Sequence, residues 1–472
     1  MKAFSSAASE GQISLMEWLL SKPKGLPLPG RDAVYLAFRE AAQNGRQFIM
    51  EWLLTKYDTS FVQVNGAFSE AASAGNRSLM EWLMTQPYGL SLPDQYGVGA
   101  AFINAARAGH RSIMEWLLTQ PHGLALPNQS DVNSAFSSAG FGGQLSTMEW
   151  IFTSPKGLPE PQLEAISEAF YYAALNDHLS VLQWILARPS EFPFRDQNAI
   201  NKAFSNAAKK GNRALMEWLL TQPHGIPLPE LLAVNSAFTN AAEGGHLEVI
   251  KWLATQPNGL PAPVNAVANA FTGAAEHGHR DIMIWLLSKP NGLSLPHHNS
   301  GFSNTAIHGY FTLMEWLTTR PNGLPLPTQF EVNMAFSKAE RSGNLAIMQW
   351  LTTQPNRIPK PNKEGVDMAF IQAASASHMH IMKWLVTRSN RLPLPSEHSV
   401  CNSFSHATVI GAQNLISWLL TPPSGLSLPH PISIRTGYKT IVENTYLDEE
   451  TRKSILKLIK SHLQKRDAYA SR

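Results

Sequence analysis

Cysteine is nearly missing from this 472-residue chain and charge is scarce: one Cys, and 15% Asp, Glu, Lys and Arg together, where a soluble domain carries about 25%. The lone Cys401 excludes a disulfide framework and any cysteine-built zinc module. The shortage of charge leaves much of the surface to Ser, Thr, Asn, Gln and Gly. A formal charge of +3 is small over this length, and on that ground nucleic acid is not expected as a partner. No window approaches about 18 uninterrupted apolar residues, so no membrane span is expected. The opening KAFSSAA segment lacks the apolar stretch of a secretory signal. Neither a P-loop, nor H-E-x-x-H, nor a nucleophile elbow, nor a dinucleotide fingerprint occurs in a suitable context. Hydrophobic residues at 44% and aromatics at 9% nevertheless suffice for a core, which excludes a disordered chain.

What the chain has instead is a ruler. Its thirteen tryptophans stand at 18, 52, 82, 116, 150, 184, 218, 252, 285, 316, 350, 384 and 418, so nine of the twelve intervals are 34 residues and the others are 30, 33 and 31. A Phe precedes each Trp by fourteen residues, from Phe4 to Phe404. Length alone suggests about three domains. A fixed period between about 20 and 50 residues instead signals a solenoid, propeller or array.

Each unit reads as two short helices and a proline-rich loop. Phe204, Ala207, Ala208 and Gly211 show the i, i+3, i+4, i+7 spacing of a helix with one small apolar face. Polar residues three positions before the Phe (Asn65, Asn133, Ser167, Asn201, Asn235, Asn299, Asn333 and Asp367) are expected to cap this helix. The preceding Val132, Ile200 and Val332 would then fold back as a hydrophobic staple. Gly stands seven residues before the Trp in eleven units, replaced only by Asp177 and Ser377, and supplies the positive φ of a tight turn. The second helix, as in Leu215 to Leu220, is apolar nearly all round and is expected to be covered on most sides, with its Trp buried. Pro five residues after the Trp stops it, and a Pro-x-Gly turn leads into Gly-Leu-x-Leu-Pro. The fold expected is an all-α, ankyrin-like solenoid of about 13 helix-turn-helix repeats of 34 residues joined by Pro-rich loops. Periodicity assigns the Met and aromatic stripes to core packing.

The word ankyrin rests on a resemblance. The segment AAEGGHLEVIKWL, Ala241 to Leu253, resembles the helix-turn-helix of an ankyrin repeat, with paired alanines, Gly-His at the turn and aliphatic residues leading into Trp-Leu. Gly109-His110 and Gly278-His279 lie in similar segments, and the resemblance extends from Met1 to about Thr436. Three features depart from that family, the first being a period of 34 residues rather than about 33. The Thr-Pro-Leu-His start is replaced by x-Ala-Phe-x, which removes the hydrogen-bond network built from Thr and His, and the hairpin finger is replaced by the Gly-Leu-x-Leu-Pro loop. Tetratricopeptide repeats share the period, but their ordered Trp, Leu-Gly, Tyr, Ala and Phe positions do not align. The resemblance implies protein binding by loop tips and the exposed face of the first helix. Arrays of this style in intracellular bacteria and large viruses of protists further imply a host-directed effector. Its place would be cytoplasmic, in the producing cell or in a host cell after delivery without a classical signal peptide.

Few residues suggest chemistry. His277 with His279, His297 with His298, and His378 with His380 are spaced closely enough to consider a metal, but each has an explanation at a turn, in a loop or at a polar helix position, so no metal and no cofactor are expected. Cys401 replaces a helix cap and reads as an inert thiol. Glu precedes Trp at Glu17, Glu51, Glu81, Glu115, Glu149, Glu217 and Glu315, a solvated stripe more than a docking column for a basic partner. The sharper signal is the unit that breaks its own habit. After the core Phe most units carry small polar pairs such as Ser137-Ser138, but the sixth carries Tyr171-Tyr172, with Leu175 four residues after Tyr171. Ile103 and Ile371 are weaker exceptions. Tyr is favoured in binding hot spots, so these five are the expected partner contacts. Phe192 and Phe194 occupy the two Leu positions of the loop and read as core.

Residues 1–436 are thus expected to form the array and 437–472 a C-terminal helical cap or tail. Asp448, Glu449 and Glu450 open that last helix, and Ile455, Leu456, Ile459 and Leu463 share one side of it. A cap over the last repeat needs such a face; a membrane-surface helix or a secretion tail are the alternatives. The function expected is a non-catalytic protein-protein interaction scaffold or adaptor, monomeric, with a protein partner. The competing class is an enzyme or enzyme inhibitor whose residues assemble across repeats, which a cluster of perturbed titratable groups would favour.

Overall fold

A computed structural model describes residues 2–21, 28–59, 62–153, 157–188, 196–263, 265–288, 300–387, 391–423, 425–444 and 447–470. Among the described residues there are twenty-eight α-helices and no strand. The fifth repeat shows the pattern, with a first helix Gln129–Phe141 and a second Leu145–Phe152. The chain forms two compact units, residues 1–207 with 212–233, and 208–211 with 234–472, and each is a tandem array of such helix pairs. In both units the first helices of successive repeats lie side by side, and each second helix packs on the first helix of its own repeat.

The Phe, more than the Trp, marks the core. From Phe38 to Phe370 every ruler Phe is fully buried, and the alanines three and four residues later line the seam between first helices. The seam is narrow: a Cβ added at Gly140 would stand 2.9 Å from the Cα of Ala169 in the next repeat. Small residues there are therefore a packing requirement.

The tryptophans depart from expectation. Only Trp116, Trp150 and Trp184 are buried, and Trp18 is 53% exposed. Among the described residues, five of the rings rest on the Phe of the preceding repeat, as Trp116 does on Phe68 (6.4 Å between ring centres) and Trp384 on Phe336 (6.1 Å). An Arg of the preceding repeat also lies over some of the rings, Arg77 over Trp116 and Arg111 over Trp150, each at 5.5 Å. The second helix is therefore amphipathic rather than enclosed, and its Trp clamps two repeats. The same arginines pair with the acidic stripe, Arg77 with Glu81 at 2.8 Å and Arg111 with Glu115 at 2.7 Å.

The helix caps also sit elsewhere. The first helices begin eight residues before the Phe, where Asp94, Asn128, Thr328, Asn362 and Ser396 accept a hydrogen bond from the first turn. Asn65, Asn133, Asn201, Asn235, Asn333 and Asp367 lie inside the helices, and Val132, Ile200 and Val332 are fully buried core, not staples. Asn299 lies outside the described residues. Asn65, Asn133, Asn201 and Asn333 make rungs between repeats instead. Asn133 Nδ2 donates to Gln162 Oε1 at 2.8 Å, and the Gln162 backbone N–H donates back to Asn133 Oδ1 at 3.0 Å. Asn65 holds Asp94, Asn201 holds Glu230 and Asn333 holds Asn362 in the same two-bond manner. Asp367 accepts from the Ser396 N–H, and Cys401 Sγ from the His430 N–H at 3.2 Å, so the thiol is a rung and not a cap.

A second ladder runs along the turns. Gly75 has φ +74°, and a Cβ there would stand 2.8 Å from the His110 ring, whose Nε2 lies 3.1 Å from the Ser73 carbonyl of the preceding repeat. His178 and His279 reach back to the carbonyls of Phe141 and Glu243 at 3.1 Å each. Imidazole bonding between repeats is thus present without the Thr that the resembled family uses.

At the C-terminus the helix Pro431–Glu443 spans position 436, and its Gly437 faces Phe404 and Thr408. The final helix Glu449–Ala470 packs against it and against Gln413–Leu420, burying Ile455 and Ile459. Asp448 accepts from the Thr451 N–H at 2.8 Å, which lowers its carboxyl below the usual range. No described helix is long and apolar enough to cross a membrane.

Candidate interaction surface

The sixth repeat carries its two tyrosines in the helix Leu163–Leu175, directly after the buried Phe170. Both are half-buried, with ring centres 5.2 Å apart. They are the middle of a longer row within the first unit. Arg107 of the fourth repeat lies 4.3 Å over the Phe141 ring of the fifth. Phe141 meets Tyr172 edge-on at 5.8 Å, and Lys202 of the seventh repeat stands 5.7 Å from Tyr171. Stacked rings and cations of this kind contribute about 0.5–1 kcal/mol each at exposed sites. They also hold broad, stiff side chains at little entropic cost.

Of the other expected contacts, Leu175 is half-buried at the helix end. Ile103 is half-buried two repeats earlier, at the register of Tyr171 but with Ser137 in the repeat between. Ile371 belongs to the second unit. The structure therefore gathers the tyrosines with Phe141, Arg107 and Lys202, none of which the sequence reading chose. Phe141 and Arg107 sit five residues after their Phe, a register that varies from repeat to repeat and so carries no habit for either to break.

Beside Tyr171 a hollow of about 300 Å³ opens between the first helices of the sixth and seventh repeats. Glu164, Ser167, Glu168 and Tyr171 line one side, and Asp196, Ala199 and Lys202 the other. Asp196 Oδ1 accepts from the backbone N–H groups of Asn198 and Ala199 at 3.0 and 3.1 Å. Three carboxylates against one ammonium give the lining a net negative charge.

Perturbed titratable groups occur in the second unit but do not converge. Burial lowers Lys338, which donates to Asn304 Oδ1 and is opposed by the charge of Glu276. Glu340, fully buried, is raised by burial, against which the His378 hydrogen bond at 2.9 Å acts. Two residues along a helix turn by roughly 200°, so Lys338 and Glu340 face opposite sides and cannot act on one substrate atom. Among the described residues no three His, Cys, Asp or Glu side chains come together as a metal would require. His277 stacks at 6.2 Å on His279, which is tied to a carbonyl, and His380 lies 6.0 Å from His378. His297, His298, Phe192 and Phe194 lie outside the described residues.

No protein-family model matches the chain, and no curated protein matches it. Among solved structures it is similar to the pentatricopeptide repeat protein PPR10 from maize, at 14% identity and a TM-score of 0.28, over 97% of this chain and 74% of that one. The same protein in complex with an 18-nt psaJ RNA element matches at 13% identity and 0.25, over 96% and 83%. A circular tandem repeat protein with novel repeat topology matches at 11% and 0.12, over 98% and 93%. The exclusion of nucleic acid is corrected by the second of these, a helical-repeat protein bound to RNA. Net charge over a whole chain does not decide that partner, because single strands are held by local cations and aromatic stacking.

Proposed function

We propose that the chain is a non-catalytic binding scaffold of ankyrin-like type, and that its partner is a protein held along the row from Arg107 through the tyrosines to Lys202. The observation that carries this reading is the setting of Tyr171. A rigid aromatic pair adjoins a hollow lined by Glu164, Glu168 and Asp196, and carboxylates beside the rings favour a basic protein segment. The turn imidazoles that reach the preceding repeat, as His110 does to Ser73, support the ankyrin-like type. A photo-reactive phenylalanine analogue at position 172, in full-length protein exposed to lysate, tests the partner class. Peptide adducts at 172, lost when Tyr171 is changed to Ser, are the expected result. Adducts that carry nucleotides would make the partner RNA, and labelling no stronger than from a control position such as Ser6 would remove the site.

A further inference from the structure

We propose that the hollow between the sixth and seventh repeats receives an arginine side chain of the protein partner, in the space where other repeats hold their own asparagine amide. The proposal rests on the protein-binding reading of the tyrosine pair. The two-bond asparagine rungs join a residue three positions before the ruler Phe to the residue 29 positions further on, the start of the next repeat's first helix. In the sixth repeat that residue is Ser167 and its counterpart is Asp196. The serine side chain is too short to span the gap, and no hydrogen bond joins the two. The fourth repeat has lost its rung as well, with Gly99, but there the Asp131 carboxylate of the next repeat occupies the space, 2.3 Å from where a Cβ would be. The residue at the register of Asp131 in the seventh repeat is Ala199, which fills nothing. The vacancy at Ser167 therefore stays open.

Its lining says what would fill it. In intact rungs an amide NH2 donates to the cap side chain, Asp94 Oδ1 or Glu230 Oε2 among them. At the vacancy the acceptor is the Asp196 carboxylate, flanked by Glu164 and Glu168. A guanidinium presents planar N–H donors to several carboxylates at once and stacks on an aromatic face. Tyr171 provides that face once the flexible Lys202 ammonium, now 5.7 Å from the ring, swings aside, and Leu163, 51% exposed, lies beside the path of the aliphatic stem. Asp196 already accepts from two backbone N–H groups, which holds it in place without cancelling its charge.

The test uses full-length protein with 3-fluorotyrosine at position 171, read by fluorine NMR during titration with N-acetyl-arginine amide, N-acetyl-glutamine amide and N-acetyl-norleucine amide. The arginine compound is expected to bind at least about tenfold more tightly than the other two. Ser167→Asn, which rebuilds the rung, should weaken it at least about tenfold, and Glu164→Gln with Glu168→Gln should weaken it while leaving thermal unfolding unchanged. Equal binding of the glutamine and arginine compounds, or unaltered binding to S167N and to the double Gln variant, overturns the proposal. Crosslinking from position 172 reads out separately: peptide adducts without arginine selectivity would leave the scaffold and remove the receptor, and arginine selectivity without adducts would do the reverse.

Discussion

Replacing Glu340 by Ala should stabilise the eleventh and twelfth repeats, although it removes a hydrogen bond. Glu340 stands four residues after Phe336, where ten repeats carry Ala, one Gly and one Thr. Its side chain is fully buried; Oε1 meets His378 Nδ1 at 2.9 Å and Oε2 has no donor. A buried acceptor without a partner costs about 1–3 kcal/mol. Losing the His378 bond costs about 1 kcal/mol, softened because that ring is 27% exposed and water reaches it. Truncation leaves on the order of 50 Å³, which at about 24 cal/mol per Å³ opposes the change by ~1 kcal/mol. Only Glu340 is replaced and the partly exposed His378 ring keeps access to water, so relief of the desolvated carboxyl outweighs the two costs, and the balance here is a gain of about 1 kcal/mol near neutral pH. The dependence on pH has a definite sign. Burial raises the Glu340 carboxyl, so its contribution is fully present below the ordinary value of about 4.3 and is lost as pH rises through the raised one. The advantage of the variant should therefore grow from pH 5 to pH 8. Repeat arrays need not unfold in one step, so the assay is native-state hydrogen exchange of the helix Gln329–Arg341 and the turn at Ser377 and His378, with the fourth and fifth repeats as internal reference. A gain of 1 kcal/mol slows exchange about fivefold. Exchange that is faster in the variant at pH 7, or a difference independent of pH, would refute the reasoning.

The clamp role of Trp predicts an asymmetry: Trp116→Ala should cost about 3–5 kcal/mol, whereas Trp18→Ala, with no preceding Phe beneath it, should cost under about 1 kcal/mol by the same local exchange measurement. Asn133→Ser should destabilise the fifth and sixth repeats by about 1 kcal/mol and Ser167→Asn should stabilise the sixth and seventh by a similar amount; thermal shifts of the same sign in both would contradict the rung. Deleting 447–472 removes the helix that packs on Gln413–Leu420 and buries Ile455 and Ile459, so exchange in Gln413–Leu420 should rise at least tenfold, and unchanged protection would mean that the last helix does not hold the array.

The periodicity of the chain carried the helix pairs and the Phe and Ala core, because residues that repeat at helical spacing must share one face. It misplaced the caps for a physical reason. Asn133 has the right side chain for a cap and precedes an apolar run, and only a partner 29 residues away, Gln162, reveals its bond. Trp invited the assumption of burial by its size, whereas a large ring at the edge of one repeat is covered by the next, and a single unit cannot show that. The tyrosines stood out because they interrupt a run of serines. Glu340 interrupts a run just as clearly, replacing one of a pair of alanines, whereas Phe141 stands in a register that varies between repeats, with Leu175, Ile307 and Val409 among its members.

The second unit contains a second open rung, and the contrast separates function from decay. Ala412 stands where His110 and His178 fill the space behind a turn glycine in the first unit, and a hollow of about 390 Å³ lies there, lined by Ser377, Met379, Ala412, Gln413, Asn414 and Leu415. Truncating a rung thus opens a hollow by the same geometry in both ladders. The lining differs: no ionisable group and no aromatic ring borders the hollow at Ala412, so nothing there would orient a charged ligand, and the gap is lost packing. Ala412→His should close it and stabilise the twelfth and thirteenth repeats by about 1 kcal/mol, as Ser167→Asn does for its own pair. The two substitutions then divide on ligand alone. If open rungs are only worn repeats, both variants gain stability and neither affects binding of the arginine compound. If the hollow at Ser167 is a receptor, stability rises in both and binding falls in Ser167→Asn alone.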